Sequence, residues 1–248
     1  MDAQNLIQEL NAQENKKQAS ILQKFFKTGK GEYGEGDIFL GIKIPVIREI
    51  AKNYYELDLS EIQKLLDSKI NEIRTVGIII LTKKYQIAKK QKDALQVQTI
   101  VRFYLDNTRN INTWGLVDIS APKILGEYLV DKKSERNVLY ELAISEKKGY
   151  NGFLWLWEKR IAIISTLAFI REKDFNDTLR LSKMFLIEEH DLMHKAVGWM
   201  LREMGKKEEA PLIDFLDENG RNMPRTMLRY AIEQLDEKVR QHYLKSTK

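Results

Sequence analysis

Cysteine is absent from the 248 residues, which excludes disulfides and thiolate metal sites. Only four prolines and thirteen glycines occur, and no stretch of useful length alternates polar and apolar residues, so nothing reads as a β-strand. Long apolar runs are missing: a stretch such as Gly77 to Leu81 is far too short to span a bilayer. The first twenty residues, MDAQNLIQELNAQENKKQAS, lack the apolar core of a signal peptide. These absences point to a cytoplasmic chain with no membrane partner. Charge of one sign is scarce as well. The 41 basic residues exceed the 36 acidic ones by a formal +5, which permits a nucleic-acid partner without requiring one, unless the cations gather on one face.

Helical periodicity is abundant. Ile73, Val76, Gly77, Ile80 and Leu81 form one apolar stripe, and Leu192, Ala196, Trp199 and Met200 form another. Helix starts are marked by Ser60 three residues before Gln63, by Asp191 before Leu192, and by Pro45 at the head of Val46 to Tyr55. About a dozen helices joined by short loops are expected. With no linker or low-complexity segment, the simplest organisation is one domain over residues 1–248.

A weak internal repeat gives the architecture. Arg74-Thr-Val-Gly, Arg160-Ile-Ala-Ile, Lys195-Ala-Val-Gly and Arg229-Tyr-Ala-Ile each set a basic residue before small or β-branched residues that run into an apolar helix. Asp118-Ile-Ser-Ala is a fifth, weaker copy that divides the long gap after Arg74. Periods of roughly 34 to 47 residues with two helices each belong to HEAT- or armadillo-like arrays, so the expected fold is an all-α superhelix of antiparallel helix pairs. In such arrays the second helix of each pair lines a concave face. Arg74, Asp118, Arg160, Lys195 and Arg229 would then stand in one row of four cations and a carboxylate, as binding to a phosphate backbone requires. Any one of them could also be a solvated helix flank.

Two tryptophans fall beside this row. Trp114 and Asp118 stand at i and i+4 and share a helix face, as do Lys195, Trp199 and Arg202 at i, i+4 and i+7. Pro122 has no N–H to offer the Asp118 carbonyl, so the helix should kink or restart there. Trp155 and Trp157 lie in an apolar run and are expected in the core. His190 and His194 have a zinc-compatible spacing but lack the intervening glutamate of H-E-x-x-H and an evident third ligand, so no metal or other cofactor is expected.

The segment Asn112-Thr-Trp-Gly-Leu-Val-Asp118-Ile-Ser-Ala-Pro122, with Trp-Glu-Lys-Arg160 and Ala196-Val-Gly-Trp-Met-Leu-Arg202-Glu, resembles the AlkD-type DNA alkylation repair proteins. Phe39-Leu-Gly-Ile-Lys-Ile-Pro45 matches the family's early turn, and the resemblance spans roughly residues 20 to 235. It implies a HEAT-like solenoid that removes alkylated purines from double-stranded DNA by hydrolysing the glycosidic bond, acting as a monomer without a closed base-flipping pocket. It also implies that Asp118 stabilises positive charge on the sugar and positions water, that Trp114 and Trp199 contact the lesion's sugar and backbone, and that Arg160 and Arg202 hold phosphates. The chemistry is self-consistent. A cationic alkylpurine leaves as a neutral base, and one carboxylate with aromatic faces favours the oxocarbenium-like transition state.

Two departures stand out. A glycine-rich stretch, Lys27 to Asp37, is longer than in the family archetype and reads as a hairpin or mobile loop that would probe a DNA groove with Lys30 and Tyr33. Phe25 stands where the archetype carries a DNA-facing tyrosine. Both features suit the alternative of a non-catalytic binder of branched or distorted DNA, and a protein-binding HEAT scaffold is the further alternative.

Overall fold

The computed structural model describes residues 2–246. Side-chain caps start the early helices as their sequences require: Asp2 accepts from the Asn5 N–H at 2.9 Å, Asn15 from Gln18 at 3.0 Å and Asp93 from Gln96 at 2.9 Å. No β-strand forms among the described residues; extended pairing is confined to an isolated bridge between Ile38 and Ile70. The chain divides into two compact units, Met1–Ser120 with Glu146–Trp157, and Ala121–Ser145 with Glu158–Lys248.

The first unit holds α1 (Ala3–Asn11), α2 (Lys16–Phe25), α3 (Ile44–Ala51), α4 (Leu59–Leu66), α5 (Asn71–Gln91), α6 (Ala94–Asp106) and α7 (Trp114–Ser120). Its centre is α5, which packs on α3, α4, α6 and α7. The predicted stripe Ile73, Val76, Ile80 and Leu81 is buried there, each side chain contributing about 1.5–3 kcal/mol of burial. Glycine at 77 lets α4 approach, since a Cβ would sit 3.2 Å from Leu65 and Leu66. The turn before α3 is held by α5 as well. The buried Glu72 carboxylate accepts the N–H groups of Leu40 at 3.0 Å, Gly41 at 2.8 Å and Ile42 at 3.3 Å. Gly41 has φ +81° and lies so close to α2 that a Cβ would come within 2.3 Å of the Asn15 carbonyl oxygen, so only glycine fits.

The second unit begins where Pro122 interrupts helical bonding. Helix α7 stops at Ser120, and Pro122–Gly126 winds a π turn closed by the Gly126 N–H on the Ala121 carbonyl at 2.8 Å. There follow α8 (Glu127–Leu129), α9 (Asn137–Ala143), α10 (Leu154–Ser165, of which residues 154–157 belong to the first unit), α11 (Leu167–Arg171), α12 (Asn176–Met184), α13 (Asp191–Lys207), α14 (Glu209–Asn219), α15 (Arg225–Ala231) and α16 (Glu237–Ser246). Helix α13 organises this unit, packing on α11, α12, α14 and α15. Gly198 lets α15 in: a Cβ there would lie 2.5 Å from both the Met227 carbonyl oxygen and Tyr230 Cβ. Buried Arg136 ties α9 to α12, bonding Asp174 at 2.9 Å and Asp177 at 2.8 Å while lying over the Phe169 ring. Among the described residues no helix is long and apolar enough to cross a membrane.

Candidate functional site

Helix α7 carries the two residues singled out for chemistry. Trp114 opens it and Asp118 follows one turn later, both half-buried and on the same side. The indole is held by an aromatic stack: Phe26 lies parallel to it at 4.8 Å and 6°, and Phe39 backs Phe26 at 4.9 Å. Phe25 meets Trp114 edge-on at 5.7 Å and remains 61% exposed. Beneath the helix, buried Tyr104 hydrogen-bonds Ser120 at 3.0 Å. Burial pushes the Tyr104 hydroxyl above the usual phenol range; the Ser120 bond works against this, and the negative charge of Asp118 adds to it. Tyr104 therefore stays neutral beside the carboxylate.

The row of cations divides. Arg74, Asp118, Arg160, Lys195 and Arg229 do all fall within the first two turns of a helix, but their exposure differs. Arg74 is 3% exposed and forms an internal ion pair with Asp37 at 2.7 Å, with a second bond to the Ser68 carbonyl at 2.8 Å. The expectation that it lines an open phosphate-binding surface is corrected: a guanidinium sealed against a buried carboxylate is a core element. Arg160 is also buried, and one of its nitrogens bonds the Leu192 carbonyl at 2.6 Å, so it braces the start of α13 and offers phosphate almost no surface. Arg229 is exposed.

On α13 the charges are paired, Lys195 near the surface and Arg202 half-buried. Lys195 meets Asp191 at 2.6 Å; burial raises the Asp191 carboxyl, but the bond and charge of Lys195, with smaller contributions from Thr226 and His194, bring it below its usual range. Trp199 is half-buried and donates its indole N–H to Glu203 at 3.2 Å. Arg202 binds Glu233 and lies 3.6 Å from Glu203.

The glycine-rich segment is a folded turn and not a groove-probing hairpin. Glu32 and Glu35 accept the N–H groups of Gly29 and Gly31 at 2.8 and 2.7 Å. Tyr33 is buried, its ring edge-on to Trp157 at 5.7 Å and its carbonyl accepting from Asn151 at 3.2 Å. A DNA-probing role for Tyr33 is thereby corrected; Lys30 alone of the pair is exposed. Trp157 is fully buried, whereas Trp155 is only half-buried and donates to the Gly152 carbonyl at 3.1 Å. His190 and His194 hydrogen-bond locally, to the Leu192 N–H and the Glu188 carbonyl, and no group of three metal-ligating side chains gathers among the described residues.

Sequence reasoning passed over Asp37, Glu72 and Phe26. Asp37 and Arg74 are 37 positions apart, so no helical spacing signals the pair. Phe26 was hidden by its neighbour: the tandem Phe25-Phe26 gives no sign of which ring supports Trp114 and which faces solvent.

These features define an all-helical repeat protein in which a half-buried carboxylate shares a helix with an aromatic-backed indole, and paired cations sit on another helix. A model of the DNA alkylation repair enzyme family matches residues 6–235, and the chain belongs to that family. Its fold is similar to the solved structure of a predicted DNA alkylation repair enzyme from Enterococcus faecalis, with TM-score 0.68 and 16% identity over 90% of this chain and 97% of that one. No curated protein gives a match.

Proposed function

We propose that the protein is a DNA glycosylase that releases N3- or N7-alkylated purines from duplex DNA. The observation that carries this reading is the half-buried Asp118 placed one turn from Trp114, whose ring is fixed by Phe26. As the bond between C1′ and the purine nitrogen breaks, its electron pair neutralises the cationic base, so no strong acid is needed. The Asp118 carboxylate stabilises the positive charge that develops on the sugar. Water adds at C1′ and loses its proton to complete hydrolysis. The face of Trp114 attracts the same developing cation. Trp199, Lys195, Arg202 and Arg229 supply contacts to the DNA backbone, with Lys30 and Phe25 as further contacts. The test is release of free base from DNA carrying N7-methylguanine or N3-methyladenine. Release by the wild-type protein and its loss in Asp118→Asn support the reading; undiminished release by the variant defeats it.

A second reading, a non-catalytic binder of branched DNA, is favoured by one observation. Exposed Phe25 presents an apolar edge beside Trp114, a shape that can wedge between unstacked bases. It predicts no base release, together with a preference for junctions over duplex that Phe25→Ala removes.

A further inference from the structure

The first unit contains a cleft that the residues of α7 do not use. Two adjoining hollows, of about 320 and 420 Å³, share Asp67, Arg109, Asn110, Asn112 and Tyr150 as walls. Trp157 lines the larger hollow and Arg74 the smaller. Neither Trp114 nor Asp118 takes part.

Three buried polar atoms on these walls have no hydrogen-bond partner: Asn112 Oδ1, Trp157 Nε1 and Arg74 Nε. Their residues are 5%, 0% and 3% exposed. A buried polar group without a partner is costly, and such groups are rare enough to need a reason. The orientation of the Asn112 amide is fixed by its neighbour. Asp37 can only accept, so the Asn112 nitrogen is the atom 3.4 Å from its carboxylate and the oxygen is the atom left over. The walls therefore bury one unpaired acceptor, Asn112 Oδ1, and unpaired N–H donors on Trp157 and Arg74.

The rim adds two further elements. Tyr150 is 73% exposed and borders both hollows, an aromatic surface available for stacking. Arg109 and Lys69 are exposed cations at the opening with no ion pair among the described residues. This contrasts with Lys195 and Arg202 on α13, which are both paired.

A flat ligand with a donor–acceptor edge and an attached anion suits Asn112, Trp157, Tyr150 and the two cations together. We propose that the cleft binds a nucleotide: the base edge pairs with Asn112 and Trp157, the base stacks on Tyr150, and the phosphate lies against Arg109 and Lys69. The nucleotide is either free or a residue of a single DNA strand, and it binds separately from the reaction assigned to Asp118.

The experiment is calorimetric titration of the full chain with each deoxynucleoside monophosphate and, in parallel, with a short single-stranded oligonucleotide. Saturable binding of one or more of these is expected, weakened about tenfold by Tyr150→Ala through loss of stacking. Arg109→Ala should weaken the monophosphate but not the matching nucleoside. Both residues are exposed, although the Tyr150 hydroxyl accepts from the Asn112 amide at 3.4 Å, so thermal unfolding is the control for these variants too. Trp157→Phe, which removes the N–H and keeps the bulk of the ring, should weaken nucleoside and nucleotide alike, with thermal unfolding as the control. Binding of the monophosphates assigns the site to free nucleotides, and binding of the oligonucleotide alone assigns it to a strand. Absence of both, or binding indifferent to Tyr150→Ala and Arg109→Ala, overturns the proposal. Because the readout is affinity, loss of base release in Asp118→Asn neither supports nor harms it.

Discussion

Helices α5 and α13 begin with the same sequence pattern and hold their cations in opposite ways. Arg74, four residues into α5, is sealed in the core against Asp37. Lys195, five residues into α13, lies at the surface against Asp191. The difference follows from what packs against the start of each helix. At α5, the glycine-rich segment, two helices earlier in the chain, folds inward and delivers Asp37 and Tyr33 to the interior, so a cation at that point has a buried partner. At α13, a partner is on the helix itself, and both side chains lie partly in water. A repeat position thus fixes where a residue sits along its helix, while the neighbouring loop decides whether it is structural or available to a ligand.

The largest effect that tests this contrast is on stability. Arg74→Met leaves Asp37 buried without its cation, and breaking such a pair costs about 3–5 kcal/mol. Lys195→Met removes a surface pair with Asp191, worth about 0–1 kcal/mol. Denaturant unfolding of the two variants should show that gap. Equal, small losses would mean that Arg74 is not confined as described.

Next in size is the reaction. If Asp118 supplies the electrostatic stabilisation proposed, Asp118→Asn should lower base release by about 10²–10³-fold. Affinity for undamaged duplex should change little, because the cations lie elsewhere. A parallel fall in affinity would instead make Asp118 a binding residue and bring α7 closer in role to α13.

Much of this was legible from the residues, for identifiable reasons. The stripes of α5 and α13 were readable because apolar side chains at helical spacing have few other solutions. The break at Pro122 was readable because a missing N–H has a local consequence. The Trp114–Asp118 pair was readable for the same reason, since one turn of helix sets it. Burial of Arg74 was not, because Asp37 lies far away in sequence and meets it only through the tertiary fold. The glycine-rich segment misled for a related reason. Its glycines suggested mobility, but backbone N–H bonds to Glu32 and Glu35 and the buried Tyr33 ring fix it. The stacking of Phe26 on Trp114 likewise depends on a fold-level meeting of α2 with α7.

A smaller effect separates packing from contact on α13. Gly198→Ala forces a Cβ into the backbone of α15 at Met227, an overpacking expected to cost about 1–3 kcal/mol. Melting curves should show the loss. Gly115→Ala on α7 meets only the edge of Phe26 at 3.8 Å and should be nearly neutral. If both alanines were tolerated, the close approach of α13 and α15 would not be what demands glycine in the Gly-Trp pair.

The smallest expected effect concerns the ion pairs of α13. Arg202 is held by Glu233, itself about half exposed, with Glu203 nearby. If Arg202 binds DNA as proposed, a phosphate must compete with these carboxylates for the guanidinium, so part of the attraction would be offset before contact. Glu233→Gln weakens the competitor and keeps its shape. An exposed pair contributes about 0–1 kcal/mol, so affinity for duplex should rise by no more than about fivefold. The steepness of its salt dependence should not fall, because the number of phosphates contacted is unchanged. Arg202→Gln should act in the opposite direction, weakening binding and making the salt dependence shallower by about one phosphate. If Glu233→Gln leaves affinity unaltered while Arg202→Gln lowers only stability, Arg202 is a structural cation in the manner of Arg74, and the contrast between α5 and α13 narrows to Lys195 alone.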